Sequence, residues 1–217
     1  MTAAIALLLP AVAHGAAVPV APANGANVGT NIHPSFQWGL PPGEKSSLLR
    51  VASKPTVTPE GRFLAENIEQ SHSFTTGAET TYTAEQPLPA GPHWWTVDTY
   101  RTGPFAEYVS APVGFTIAAS IAKPRIKITR YRFIRKLGVD VRITGNIPSA
   151  LVRIKAYKGR KVVGKASERR KHYLVTSPIT SFLTLKIHKR RARKLKVVVS
   201  VSYGKKKAVR RKTIRGV

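Results

Sequence analysis

Through most of the chain apolar and polar residues alternate one for one, the period of a strand with one buried face. In the first half Phe36 and Trp38 alternate with polar neighbours, and Leu49 and Val51 bracket Arg50, which the alternation turns outward. Within residues 93–100, Trp95 and Val97 share one face while Trp94 and Thr96 share the other; Val113, Phe115 and Ile117 repeat the pattern in a last strand. Asn24-Gly25, Pro41-Pro42-Gly43 and Leu88-Pro89-Ala90-Gly91 mark turns between these runs. No window has a helical period, and residues 63–70 have room for a turn or two at most.

The second half alternates more clearly. Leu137, Val139, Val141 and Ile143 fall on one face, with Asp140 and Arg142 on the other. Val152, Ile154 and Ala156 alternate with Arg153, Lys155 and Tyr157; Leu183, Leu185 and Ile187 follow, then Leu195, Val197, Val199 and Val201. Lys158-Gly159-Arg160 and Tyr203-Gly204-Lys205 supply hairpin turns. Short strands with Pro/Gly punctuation predict an all-β chain of sandwiches. The expected cores hold Trp38, Trp95, Val97 and Phe115 in the first half, and Val139, Val141, Ile154, Leu185, Val197 and Val199 in the second.

Charge changes this picture by dividing the chain. Of 217 residues, 36 are basic and 10 acidic, a net of +26. Residues 18–117 carry five basic and eight acidic side chains, net −3, whereas residues 118–217 carry 31 basic side chains and two acidic ones, Asp140 and Glu168, net +29. Between the halves Ala118-Ala119-Ser120-Ile121-Ala122-Lys123-Pro124 is small-residued and ends in Pro, so residues 118–124 read as a linker. At the N-terminus, Ala3 through Val12 form an apolar run followed by small residues to Ala17. About ten residues is too short for a membrane span but matches the core of a signal peptide, although no Lys or Arg precedes it. Residues 1–17 are therefore expected to be removed on export, by cleavage after Ala13 or after Ala17, which implies a secreted or cell-envelope location. The absence of cysteine excludes disulfides and thiolate chemistry.

The segment 20–26 (Val-Ala-Pro-Ala-Asn-Gly-Ala), the Phe36-Gln37-Trp38 strand, Leu88-x-x-Gly91-x-x-Trp94-Trp95-x-Val97 and Ser110-x-x-Val113-x-Phe115-x-Ile117 together resemble fibronectin type III-like and related Ig-like modules of secreted bacterial proteins. The resemblance covers about 95 residues and implies a β-sandwich over 18–117. By pattern, residues 125–217 resemble the basic Ig-like tail domains of exported proteins from high-GC bacteria of the actinobacterial type. The fold expected is thus two tandem sandwiches behind a signal peptide.

Candidate chemistry is sparse. The six histidines (His14, His33, His72, His93, His172, His188) form no HxH or HExxH spacing, and a packing role is expected for His93. Glu66 and Glu69 lie in a polar segment without aromatic sugar subsites. Residues 159–166 match G-x-x-x-x-G-K, but Ala166 stands where Ser or Thr must hold magnesium, and a hairpin surrounds them rather than a strand and a helix. Of the pair Trp94-Trp95, one ring points inward as core; the other is a lone outward aromatic or part of a contact patch. No catalytic group, metal, cofactor or specific small molecule is expected.

The basic clusters carry the physical argument. Arg169-Arg170-Lys171, Lys189-Arg190-Arg191 with Arg193-Lys194, Lys205-Lys206-Lys207 and Arg210-Arg211-Lys212 read as loop or edge-strand groups. Lys-rich edges prevent strand addition, yet two carboxylates neutralise at most two of 31 cations, and external anions must relieve the rest. The expected partners are anionic wall polymers, lipid headgroups, acidic polysaccharides or extracellular DNA, held electrostatically; no motif for reading a nucleic-acid sequence is present. The rival reading is an intracellular, non-sequence-specific nucleic-acid-binding protein.

Overall fold

In a computed structural model, described for residues 15–44, 46–74, 80–101, 106–131, 136–171, 177–186 and 194–215, the alternating segments form sixteen strands and one short 3-10 turn. The expected all-β class holds. The proposed export segment falls almost wholly outside the described residues, which begin at Gly15. Two compact units divide the chain: residues up to 28, 33–86 and 92–116 make the first, and residues 29–32, 87–91 and 117–217 the second.

The first unit contains β1 (Val18–Ala21), β2 (Ala26–Asn27), β3 (Ser35–Gly39), β4 (Ser47–Ala52), β5 (Ile68–Phe74), β6 (Thr81–Thr83), β7 (Gly91–Arg101), β8 (Ala106–Val109) and β9 (Val113–Ile117). A three-stranded sheet runs β1-β3-β6; a larger one runs β2-β9-β7-β4-β5, with β8 also on β7. Phe36 from the small sheet meets Trp95 and Phe115 from the large one at ring-centroid distances of 5.3 and 5.7 Å, so the two sheets share an apolar interior. Trp38, Leu49, Val51 and Val97 are buried with them. Trp95 is buried and Trp94 half-buried, as the alternation requires. The Trp95 indole N–H donates to the Pro22 carbonyl at 3.1 Å, which satisfies its one polar atom inside the core. Residues 65–67 form the 3-10 turn, and the strand that follows, β5, carries no clear apolar alternation in sequence.

The second unit contains β10 (Arg125–Tyr131), β11 (Lys136–Ile143), β12 (Ser149–Lys158), β13 (Lys161–Lys171), β14 (Ile179–Lys186), β15 (Lys194–Tyr203) and β16 (Lys206–Arg215). One sheet runs β10-β11-β14 and the other β13-β12-β15-β16. Val139, Val141 and Leu185 from the first sheet and Ile154, Val197 and Val199 from the second lie in one buried cluster. The hairpins β12–β13 and β15–β16 turn at Gly159 (φ 59°) and Gly204 (φ 52°), left-handed positions that glycine takes without a Cβ penalty.

The segment read as a linker is tied into this unit. The buried Asn146 side chain accepts hydrogen bonds from the Ser120 N–H (2.6 Å) and hydroxyl (2.9 Å) and donates to the Ala118 carbonyl (2.9 Å). Ala119 and Ile121 pack against the core. The composition of 118–124 signals the lack of large side chains, but small residues suit close docking as well as free passage.

Candidate anion-binding surface

In an antiparallel pair, residues directly opposite one another project to the same face. Strand register therefore decides which cations in the second unit stand together. In the sheet β13-β12-β15-β16, Val152, Ile154 and Ala156 point into the core, so Arg153 and Lys155 point out. Arg153 faces Ser167 on one side and Ser200 on the other; Lys155 faces Lys165 and Val198. Ser200 is opposite Val209, Val198 opposite Arg211, and Ser202 opposite Lys207. Leu151 lies between Arg169 and Ser202, and Tyr157 faces Lys196. The outer face thus carries Arg153, Lys155, Lys165 and Arg169 on β12 and β13, and Lys196, Lys207 and Arg211 on β15 and β16, with Lys171, Lys194 and Arg215 at the strand ends, all exposed.

Neither carboxylate of the unit lies on this face. Glu168 is opposite the inward Val152, accepts from the Ser181 hydroxyl at 2.8 Å and pairs with Arg170 at 2.9 Å. Asp140 is on the outer face of the other sheet, between Lys127 and Phe182. A shallow depression of about 580 Å³ lies there, lined by Arg125, Lys127, Asp140, Arg142 and the half-exposed Phe182, with Arg170 at its rim. A smaller one, about 350 Å³, lies between Arg153, Lys155, Lys165 and Ser167.

The basic runs picked out in the sequence are split by this geometry. Consecutive residues of a strand point to opposite faces, so Arg169 projects outward while Arg170 turns toward Glu168. On β16 Arg211 projects outward, whereas Arg210 and Lys212 are opposite the inward-pointing Val199 and Val197. Both stay exposed because β16 is an edge strand. Lys171 and Lys194 end and begin their strands, Lys205 lies in the β15–β16 turn, and Lys206 is opposite Tyr203. Lys189, Arg190, Arg191 and Arg193 lie outside the described residues. The sequence reading passed over Arg153, Lys155, Lys165 and Lys196 because none stands in a run. The alternation of β12 and β15 is the signal that points to Arg153, Lys155 and Lys196, whereas Lys165 follows only from the pairing of β13 with β12.

Several ionisable groups of the first unit are built into the fold. The fully buried Asp98 on β7 pairs with Arg50 on β4, Arg50 also reaches Glu107 on β8 at 3.8 Å, and Arg62 pairs with Glu107. Arg50 does face outward, as expected, but its side chain is only 15% exposed. Gly61, in the connection after β4, approaches Val109 on β8 closely enough that a Cβ would touch it, so that connection lies over this charge cluster. His93 is buried, lies 5.4 Å from the Phe115 ring, and shares a 2.6 Å hydrogen bond with Glu69. The half-exposed Trp94 lies against Gly114 of β9, where an added Cβ would come within 3.1 Å of the indole nitrogen. Among the described residues no three His, Asp or Glu side chains are grouped to hold a metal. No helix among them is long and apolar enough to cross a membrane.

No protein-family model matches the chain, and no curated protein matches its sequence. Solved structures similar to it include the fibronectin(III)-like modules of Clostridium thermocellum CbhA, at 12% identity and a TM-score of 0.29 over 91% of this chain and 90% of theirs. A chicken T-cell receptor is similar at 10% identity and 0.31, over 92% of this chain and 99% of the receptor. Likeness to the α-L-rhamnosidase of Dictyoglumus thermophilum, at 14% identity and 0.31, covers 89% of this chain but only 28% of the enzyme.

Proposed function

We propose that this is an exported, non-enzymatic protein of the cell envelope or extracellular space, in which a fibronectin type III-like spacer or contact module precedes a cationic Ig-like module that binds anionic surfaces. The observation that carries the reading is the outer face of the β13-β12-β15-β16 sheet, with ten exposed cations at register positions that include no carboxylate. Such a face attracts polyanions through Coulomb forces and counterion release, without reading sequence. Export rests on the apolar N-terminal run. Of the two candidate cleavages, the one after Ala13 retains the buried Ala17 and the 3.1 Å hydrogen bond from the Thr99 hydroxyl to the Gly15 carbonyl. The mature chain should then begin at His14.

Two measurements test this reading. N-terminal sequencing of native protein should return His14 from an extracytoplasmic fraction; a chain still starting at Met1 in the cytoplasm overturns export. Binding of the full chain to heparin and to duplex DNA should weaken steeply with salt, with a slope near 0.9 per phosphate contacted on the duplex, and should not respond to DNA sequence. Salt-insensitive binding would mean a specific pocket in place of an electrostatic face.

A further inference from the structure

Within the cationic face, one strand differs from its neighbours. At three successive outward positions β15 carries short, half-buried side chains, Val198, Ser200 and Ser202. On one side β12 places Arg153 beside Ser200 and Lys155 beside Val198. On the other β16 places Lys207 beside Ser202 and Arg211 beside Val198. Long basic side chains therefore wall a floor of short ones, with the exposed Lys196 standing at its end. From β12 to β16 is two strand spacings, about 10 Å, and successive outward positions along β15 are about 7 Å apart. Every step along this lane meets a cation: Lys207 at the first, Arg153 at the second, Lys155 and Arg211 together at the third.

We propose that the lane along β15 binds a single extended phosphodiester chain of the polyol-phosphate type, lying parallel to the strand with one phosphate per step. The proposal rests on the anion-binding reading above and goes on to name the surface and its ligand. One charge per step of a few ångströms in single file is the pattern such a polymer offers, and arginine forks match phosphate oxygens two at a time. A lane about 10 Å wide is too narrow to seat a duplex or a bilayer on its floor. The floor carries no aromatic ring, which single-stranded nucleic acid needs for base stacking and sugar rings for their flat faces. Tyr157, the aromatic residue on this face, stands opposite Lys196 at the end of the lane. The Ser200 and Ser202 hydroxyls can bond phosphate oxygens or the polyol; Ser200 at present donates to the Arg153 carbonyl at 3.5 Å.

The test uses the full chain and calorimetric titration with synthetic poly(glycerol phosphate), beside oligo-dT, duplex DNA, heparin and phosphatidylglycerol vesicles. Four proteins are compared with the natural one: the wall variant R153Q/K155Q/K207Q/R211Q; a control, R125Q/K127Q/K136Q/R142Q, that removes equal charge from the outer face of the other sheet; S200W, which fills the lane without changing charge; and S200A, which leaves it open. The wall variant should lose about tenfold or more in affinity for poly(glycerol phosphate) at low salt, and the control about threefold or less. S200W should lose about fivefold for that polymer while its vesicle binding stays the same, and S200A, which removes one hydroxyl but leaves the lane open, should lose clearly less than S200W. S202W serves as a second filler if S200W does not fold. Equal losses in wall and control variants, or filler variants that bind normally, overturn the lane and leave the wider anion-binding reading standing. Tighter binding to vesicles, heparin or either DNA than to poly(glycerol phosphate) overturns the choice of ligand. Failure of the natural protein to bind any of the five at low salt sinks both readings.

Discussion

The first unit sets several ionisable side chains against opposite charges, two of them with a buried member, Asp98 with Arg50 and His93 with Glu69, and a third, Arg62 with Glu107, partly open to solvent. The second has 31 basic residues in its sequence with two carboxylates to meet them, one of those carboxylates already held by Arg170 and Ser181, and most of the basic side chains among the described residues are exposed. In the first, removing one partner strands a buried charge, and breaking such a pair costs about 3–5 kcal/mol. In the second an exposed cation has little to lose, since substitutions of that kind stay within about 0.5 kcal/mol of neutral. Charge thus belongs to the fold in one unit and to the surroundings in the other. Exposed charges that contribute little to stability are free to serve the anion-binding role proposed for this face.

The sharpest way to break this comparison is Asp98→Ala. It leaves the Arg50 guanidinium 15% exposed without its closest carboxylate, and urea denaturation should show a loss of about 3–5 kcal/mol. Arg50→Met combined with Asp98→Leu should recover much of it, because a packed apolar pair of similar volume is often as stable as a buried ion pair. A loss under about 1 kcal/mol in the single variant would mean that water reaches the pair, and the contrast between the units would disappear.

A smaller effect tests whether the second unit extends back to residue 118. Asn146→Ala removes three hydrogen bonds and leaves the Ser120 N–H and the Ala118 carbonyl without their side-chain partner. Equilibrium unfolding should show a loss of about 1–3 kcal/mol. Hydrogen exchange at the Ser120 amide should quicken at the same time. Unchanged protection there would show that residues 118–122 pass freely, as their composition first indicated.

How far the chain could be read depended on the range of the interaction. Trp95 and Phe115 are buried and Trp94 half-exposed because alternation is local to a strand, and a single run of residues reveals it. The partner of Arg50 lies 48 positions away on a strand of the same sheet, and no local pattern announces it. Binding faces suffer most. Runs such as Arg210-Arg211-Lys212 attract attention in sequence, yet a strand sends alternate members to opposite sides. The surface cations that assemble, Arg153 with Lys207 and Lys155 with Arg211, are more than 50 residues apart and meet through the register of three strands. Register is a property of pairing and is not visible along one chain.

The smallest effect separates two uses of the same charges. Arg210 and Lys212 lie on the core-facing side of β16, at the open edge of its sheet, where inward-pointing charges block the addition of another strand. Arg211 and Lys207, on the opposite side of the same strand, wall the proposed lane. Arg210→Val with Lys212→Val should change monomer stability by no more than about 0.5 kcal/mol per site. The same protein should self-associate in sedimentation velocity at concentrations where the natural chain stays monomeric, while its affinity for poly(glycerol phosphate) falls by only the small amount expected of two distant charges. Arg211→Gln with Lys207→Gln should do the reverse, losing affinity without associating. If both pairs lower affinity equally and neither associates, the edge needs no protection and β16 offers only diffuse positive charge. If the inward pair alone associates, the strand guards an edge with one side and faces a ligand with the other, and the division between fold and surroundings runs through single residues of β16 as well as between the two units.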